Sequence, residues 1–476
     1  MERAEAEAIL DGEREAAIAV LLQLGELVES NRRLEARVAE LEERLRLSSR
    51  NSSLPPSADP PSAPPRPGKQ GSGRKRGGQP GHEGRHRRLL PPERVDETVE
   101  HWPPDCGGCG HVFAAAERTD AAAPQRHQVA ELPPIAVVVT EHRLHRLCCP
   151  DCGAETRAEL PAGVPRGAFG PRLEAAVATL SVRNRISRRD LSELCEELFG
   201  CPVSTGTVDA ICQRVSAALA GPHAELHAAV KQAPVVNADE TGWKQAGKRR
   251  WLWGGVTPQL AAFLLTQSRG QDSARKLLGD EFAGVCVSDR WSGYNHLPLE
   301  QRALCWSHLT RDFRKLEERG GLASELGAQA LDICERLFTA WHAHRSDNGD
   351  RVLLQARIEP LRDELRVLTE RCQQDGDPKT RRFCSNLLKL WPALWTFAHH
   401  DHVEPTNNAA ERGLRGAVIY RKLSFGNQSD PGARFLERML SISHTCRLQH
   451  RSLFGYLTAA LNANAQGEPT PSLIPP

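Results

Sequence analysis

Residues 234–244 read PVVNADETGWK, a short β-branched run that ends on Asp239. Such residues suit a pleated strand, and the stretch sets the reading of the whole chain because its pattern recurs. Residues 284–295, GVCVSDRWSGYN, end a second apolar run on Asp289. A third acid, Glu411, opens an arginine-rich helix in EPTNNAAERGLRGAVIYRK, residues 404–422. Two strand-end aspartates and a helix glutamate are hard oxygen donors of the kind Mg²⁺ takes, an ion that keeps several waters and completes its shell from phosphate. Two such ions roughly 4 Å apart stabilise the attacking and the leaving oxygen of an in-line displacement. Plainer readings exist. An Asp that closes a strand is often a turn former. Glu411 has Arg415 four residues on, enough for a surface pair worth about 0.2–0.5 kcal/mol. Glu240 falls on the opposite face of a continuing strand and is the poorer ligand.

Outward from these acids, VVNAD, RRWLWGGVT, LAAFLLTQS, GVCVSD and ALCWSH read as five strands, with the helix SARKLLGDEF before the fourth and LTRDFRKLEER after the fifth. Three strands in hairpin order, then helix, strand, strand, helix is a ribonuclease-H-like sequence of elements. Residues 321–400 are helical in pattern and separate this sheet from the Glu411 helix. Around that helix Arg412, Arg415, Arg421 and Lys422 are candidates for gripping phosphate, since a guanidinium meets it through two parallel hydrogen bonds; solvated surface charge is the plainer alternative. His308, in CWSHLTRDF, is either a group near the reacting phosphate or a buried, hydrogen-bonded histidine. Trp243 and Trp291 read as packing residues, with stacking on a displaced base as the alternative.

Toward the N-terminus, Cys106-Gly-Gly-Cys109 and Cys149-Pro-Asp-Cys152 are paired CxxC knuckles, each followed by glycine. Four thiolates make a closed tetrahedral zinc site with a structural role; a redox CxxC is the rival. The apolar stretch between the knuckles suits hairpin strands, and Cys148 is a spare thiol. Upstream, residues 48–88 are rich in Pro, Gly and Ser, without hydrophobic periodicity, and cannot bury enough surface to order themselves. Their basic half, including Arg74, Lys75 and Arg76, can neutralise DNA phosphates or serve as a soluble linker. Ala17, Val20, Leu24, Leu27, Asn31, Leu34, Val38, Leu41 and Leu45 follow the alternating three- and four-residue steps of a coiled-coil seam, with Asn31 at a position that favours two strands. That predicts a homodimer; a single amphipathic helix packed on its own domain is the alternative. Residues 171–220 read as helices, with Gly200 as a stop and Ser204 to Thr207 as N-cap candidates, a helix-turn-helix outline.

Composition bounds the rest. The 476 residues suit two to four domains, and 39% hydrophobic with 26% charged residues can bury a core. The net charge of +2 is nearly neutral, with acid concentrated at the start and base in the linker. The opening MERAEAEAIL is acidic rather than signal-like, and no apolar run reaches the ~20 residues a membrane span needs. These point to a cytoplasmic protein without membrane contact. The 14 cysteines in a reducing compartment argue against a disulfide framework.

At Asp239, Asp289 and Glu411, together with SSLPPSADPP, GGQPGHEGRHR, the paired knuckles, ADETGW, SDRWSGYN, CWSHLTRDF and NNAAERGLR…RKLSFG in that order, the chain resembles the DDE transposases of the insertion-sequence-66 family over nearly its whole length. The resemblance implies a bacterial enzyme that cuts DNA at element ends and joins them to a target. It implies Asp239, Asp289 and Glu411 as catalytic ligands of two Mg²⁺ (or Mn²⁺) ions, and companion proteins of the element as partners. The chain departs from the family after RKLSFG, where Asn427-Gln-Ser-Asp-Pro-Gly432 replaces the usual Gly-Ser and paired glycine. A catalytically silent DNA-binding protein and a metal-dependent nuclease that does not join ends are the competing functions.

The expected architecture is multidomain α+β. Residues 1–48 form the coiled coil, 49–95 a disordered basic linker, 96–165 a zinc-ribbon-like domain and 166–230 a helical domain. The first part of the core spans 231–320, the helical insertion 321–400 and the C-terminal helices 401–461, with a disordered tail over 462–476.

Overall fold

The structure is a computed structural model and describes residues 14–46, 88–346 and 349–475. Arg74, Lys75, Arg76 and most of the linker lie outside these residues. The described chain falls into two compact units. One holds 14–46, 140–196 and 202–475; the other holds 88–139 with 197–201. Among the described residues there are fourteen α-helices and a mixed sheet, and no helix is long and apolar enough to cross a membrane.

Helix α1, Arg14–Arg46, is a single 33-residue helix. Along the expected seam Leu27, Leu34 and Val38 are exposed, as are Leu21, Leu22 and Val28 beside it. In the smaller unit the backbone bridge between Asp105 and Val112 closes a loop around the first knuckle. The second knuckle sits in the loop of a short antiparallel hairpin, β1 (Arg146–Cys148) with β2 (Glu155–Arg157). These are the only regular strands among residues 96–165, so the expectation of hairpin strands between the knuckles holds only at Arg146–Cys148 and is corrected for the stretch before it. Val129, Leu132, Val138 and Val139 are exposed and irregular. Pro133 and Pro134 remove two backbone donors in mid-stretch, which disqualifies it as a central strand.

Four helices lead into the sheet: α2 (Pro171–Val182), α3 (Arg188–Phe199), α4 (Thr205–Ala218) and α5 (Ala220–Lys231). Gly200 takes φ +57°, and the Ser204 hydroxyl accepts the Thr207 N–H at 3.1 Å, so the stop and cap read from sequence are both used. Apart from the last three residues of α3, these helices share a unit with the sheet. The sheet begins with the hairpin β3 (Val235–Gln245) and β4 (Lys248–Val256). Its two-residue turn has φ +48° at Ala246 and +74° at Gly247, the paired positive φ that matches strand twist. Strand β5 (Ala261–Thr266) adds antiparallel to β4. Helix α6 (Gln271–Leu278) crosses back, so β6 (Val285–Ser288) lies parallel to β3, and β7 (Arg302–Leu304) parallel to β6. The order is β5-β4-β3-β6-β7.

Next come α7 (Trp306–Glu317) and a helical insertion, α8 (Gly321–Ser346), α9 (Arg351–Asp375), α10 (Pro378–Lys389) and α11 (Trp391–His399). It shares one apolar core with β7 and α7, including Trp306, Phe313, Ile333, Leu365 and Trp395. The chain then returns through α12 (Asn408–Ser424), α13 (Asp430–Leu448) and α14 (Leu453–Gln466). Helix α13 covers the outer edge of the sheet. Glu437, Ser441 and Thr445, one turn apart, accept the N–H groups of Leu265, Phe263 and Ala261 at 2.6, 2.9 and 3.0 Å. An edge strand with open donors invites pairing with another chain, and these three side chains remove that opening.

The expected disordered tail is also corrected. Leu473 is buried, its carbonyl accepts from Gln449 at 2.7 Å, and the Pro471 carbonyl accepts from the Tyr456 hydroxyl at 2.9 Å. Prolines fix the tail's direction without preventing it from packing.

Candidate active site

The register of the sheet brings the two aspartates to one level. The last parallel pair between β3 and β6 is Asn237 with Val287. Asp239 and Asp289 each lie two residues beyond it, a spacing that returns side chains to the same face. Asp239 does not end its strand as the sequence reading had it, because β3 continues to Gln245 in its pairing with β4. It sits instead where the β6 neighbour ends.

Helix α12 delivers Glu411 through close packing. A Cβ at Gly254, which faces Asp239 across β3 and β4, would stand 2.9 Å from the Phe263 ring and 3.4 Å from Leu414. A Cβ at Gly413 would stand 3.0 Å from Val256. Only bare backbone lets the helix lie this low. Asn407 fixes its start. Fully buried, Asn407 donates through Nδ2 to the Ala238 carbonyl at 2.7 Å and through its N–H to the Cys305 sulfur at 3.2 Å. Its own carbonyl accepts the Glu411 N–H at 3.2 Å. Helix α7 starts at the end of β7 and turns an imidazole and a guanidinium toward Glu411: His308 Nδ1 at 3.8 Å and an Arg311 nitrogen at 3.7 Å.

The three predicted acids therefore share one electrostatic environment. Burial raises the Asp239 carboxyl well above its ordinary range, and the charges of Glu240, Asp289 and Glu411 raise it further. Burial lowers the His308 pKa and Arg311 lowers it more, against the pull of Asp289, Glu411 and Asp312. His308 Nδ1 is buried without a hydrogen-bond partner. The recorded ion pairs of Glu411 are with α7, not with Arg415. Among the described residues no group of three or more His, Cys, Asp or Glu is drawn together tightly enough to hold an ion.

Glu240 faces the other way, as strand alternation requires. Its carboxylate accepts from Arg269 at 2.6 Å and from the buried Tyr294 hydroxyl at 2.9 Å. Arg269 stacks on Trp291 at 4.0 Å and on Trp251 at 5.1 Å, and reaches Asp289 at 3.9 Å. The Trp291 ring donates to the Arg269 carbonyl, and its backbone N–H donates to Asp289 Oδ1 at 2.9 Å. Trp243 is buried, donates to Asn427 at 2.8 Å and stacks on Tyr420. Both tryptophans are packing residues in this fold. Asn427, where the chain departs from the family pattern, also exchanges backbone bonds with Lys244 and Ala246 and so ties the end of α12 to the β3–β4 turn.

The proposed phosphate grips divide. Arg412, Arg415 and Lys422 are exposed. Arg421 is spent on β3, donating to the Thr241 hydroxyl and the Gly242 carbonyl. The exposed face of α4 offers Thr205, Asp209 and Ala210, while its Arg214 pairs with Glu174 at 2.6 Å.

Each knuckle is built like a thiolate cradle. Gly110 (φ +77°) and Gly153 (φ +73°) turn the chain back, and their N–H groups donate to the Cys106 and Cys149 carbonyls at 2.8 and 2.9 Å. Backbone N–H groups of Gly108 and Cys109 lower the Cys106 pKa, and those of Cys152 and Asp151 lower that of Cys149.

A model of the transposase IS66 family matches residues 166–435. The chain belongs to that family. The match covers the helices before the sheet, all five strands, the insertion and the Glu411 helix. A second model, described as a family of unknown function, matches residues 2–88. Two curated proteins of Sinorhizobium fredii are similar, both uncharacterized. One, y4hP, is 25% identical over 400 residues, or 76% of this chain and 71% of its own. The other, y4qI, is 27% identical over 273 residues, half of this chain and 49% of its own.

Sequence reasoning missed Arg269, Asn407 and Arg311 at this IS66-family site. Arg269 sits in QSRGQDS, which carries no signal. Asn407 was findable as a capping residue type four residues before Glu411, and Arg311 follows His308 by three residues on one helix face.

Proposed function

We propose that this IS66-family chain is a DNA transposase whose Asp239, Asp289 and Glu411 form a DDE site for phosphoryl transfer. The core is read as ribonuclease-H-like, since its strand order puts three antiparallel strands beside two parallel ones. The observation that carries the proposal is the placement of the three acids, on β3, just past β6 and on α12, where the charges of Asp289 and Glu411 add to burial in raising the Asp239 pKa. Like charges gathered at one place act against stability unless they bind something positive.

The donor set fits Mg²⁺ or Mn²⁺, because all three acids offer hard oxygens. When bound, such ions supply an activated water and neutralise charge on the phosphoryl group. The chain's own residues then have separable tasks. Asp239 and Asp289 hold their carboxyls at one level of the sheet. Asn407 sets the depth of α12, and His308 and Arg311 orient Glu411. The exposed Arg412, Arg415 and Lys422 meet backbone phosphates. The reaction is hydrolysis at an element end followed by attack of the freed 3′-hydroxyl on target DNA, with no covalent protein–DNA link. The CxxC thiols of the knuckles are assigned to structural zinc, and the open apolar stripe of α1 to pairing with a second copy. Companion proteins of the element complete the partner set.

A strand-transfer assay with labelled element ends, a target plasmid and Mg²⁺ tests this reading. Cut ends joined to target support it. Cutting without joining leaves a nuclease, and binding without cutting leaves a silent DNA-binding protein.

A further inference from the structure

The helix that carries Glu411 ends on Phe425, at φ +57° and ψ +18°. That left-handed conformation suits glycine and strains a bulky side chain. Helices commonly stop on such a residue, but it is usually glycine or asparagine. Here the glycine comes one place later. Gly426 takes φ +106°, and a Cβ on it would stand 2.1 Å from the Lys244 carbonyl oxygen. The turn therefore needs Gly426 and takes Phe425 in addition. Burial does not compensate, since Phe425 is 78% exposed. A strained aromatic held out to solvent on a fixed helix end points to use rather than packing.

Ser424 and Gly426, on either side of Phe425, line a cavity of about 310 Å³ together with Tyr420, Gln428, Arg185 and Arg188. This is the small end of the ~300–1,000 Å³ range of ligand sites. Its walls are held in place. Tyr420 stacks on Trp243, and Arg185 donates to the Gly416 carbonyl at 3.3 Å. Arg188 stands 3.6 Å from Asp209, the acid in the lining. The cavity thus offers an aromatic wall, an amide, hydroxyls and guanidinium groups, the mixture that recognises a planar ring with donors and acceptors on its edge. Lys422, one turn before Phe425, is exposed and can meet a phosphate.

We propose that Phe425 enters the base stack of bound DNA as a wedge and that the displaced nucleobase is held in this cavity. The inference rests on the transposase reading. Apolar wedges unstack a base step in this way, and enzymes that act on DNA commonly house an extruded base in a pocket. From Glu411 to Phe425 the helix covers about 21 Å at 1.5 Å per residue, or roughly six stacked nucleotides. The displaced base therefore lies within about six nucleotides of the cut.

The test uses the full chain and duplexes of the element end and its flank. 2-Aminopurine replaces one base at a time across the ten nucleotides on each side of the cut. The wild type should raise its fluorescence several-fold at one position. Phe425→Trp should keep that rise. Phe425→Gly should lose it and bind roughly ten-fold more weakly. Glycine suits the backbone there, so the variant should melt no lower than wild type. An abasic nucleotide at the responsive position should restore cutting by Phe425→Gly to within about two-fold of wild type, a rescue that a merely structural role does not give. DNA bound and cut with no responsive position, or a rise unchanged in Phe425→Gly, overturns this inference and leaves the parent reading standing. Failure to bind DNA at all removes both.

Discussion

Two neighbouring carboxylates on β3 are treated in opposite ways. Glu240 is buried and bonded to Arg269 and Tyr294, and its charge is met at 2.6 Å by a guanidinium that itself stacks on Trp251 and Trp291. Asp239 opens on the other face, and the charges that weigh on it most are those of Glu240 next to it in the strand and of Asp289 and Glu411. One acid is part of the fold's framework. The other is held where the fold makes its charge expensive. The difference separates a structural acid from a candidate ligand more sharply than burial alone, since burial raises the pKa of both.

Removing the guanidinium should have the largest effect on stability. Arg269→Ala leaves Glu240 buried without its cation, at a cost of about 3–5 kcal/mol. Urea unfolding should show it, and Arg269→Met with Glu240→Met should recover much of the loss. If Arg269→Ala unfolds like wild type, Glu240 is not structural and the contrast collapses.

A smaller loss is expected at Asn407, which ties the Glu411 helix to β3. Asn407→Ala removes a buried hydrogen bond, worth about 1–3 kcal/mol where a partner is left unsatisfied. DNA cutting by Asn407→Ala should fall by more than its stability loss explains, as measured well below its melting temperature. Equal losses would make Asn407 a fold residue only.

The smallest effect has the opposite sign. A carboxyl whose pKa is raised on folding stabilises the folded state while it is protonated. That contribution is complete below the ordinary carboxylate pKa and is lost as pH rises through the folded-state value. Asp239→Asn stays neutral throughout, so in EDTA it should melt about 2–4 °C above wild type at pH 8, with the gain shrinking toward pH 4. A variant less stable than wild type at pH 8 would mean that the Asp239 charge is already compensated.

Local chemistry was legible in the sequence, and long-range partnership was not. Four of the strands, the Gly200 stop and the Ser204 cap follow from composition and short-range pattern, and the three acids stand out by their settings; the fifth strand, read over ALCWSH, is corrected to Arg302–Leu304, because Trp306–His308 already belong to α7. The extent of β3 was not legible, because its pairing with β4 carries it six residues beyond Asp239. Nor was the role of Arg269, which depends on Glu240, 29 residues away. The ladder of Glu437, Ser441 and Thr445 reads in sequence as an ordinary helix face; only the sheet edge opposite gives it a purpose. The packed tail was misread because its prolines suggest disorder until Gln449 and Tyr456 are seen to hold it.

The most direct test is Mg²⁺-dependent nicking of DNA carrying the element's ends by wild type, Asp289→Ala, Glu411→Ala and Glu240→Gln. Wild type should cut only with the metal, and the two alanine variants should fall by about 10³-fold or more, the loss expected when a group that stabilises transition-state charge is removed. Glu240→Gln, which keeps the hydrogen bond from Tyr294, should stay within about ten-fold of wild type, the equivalent of 1.4 kcal/mol. Nicking that survives in Asp289→Ala or Glu411→Ala, or that fails in Glu240→Gln as completely as in them, would contradict the division of labour between the two faces of β3.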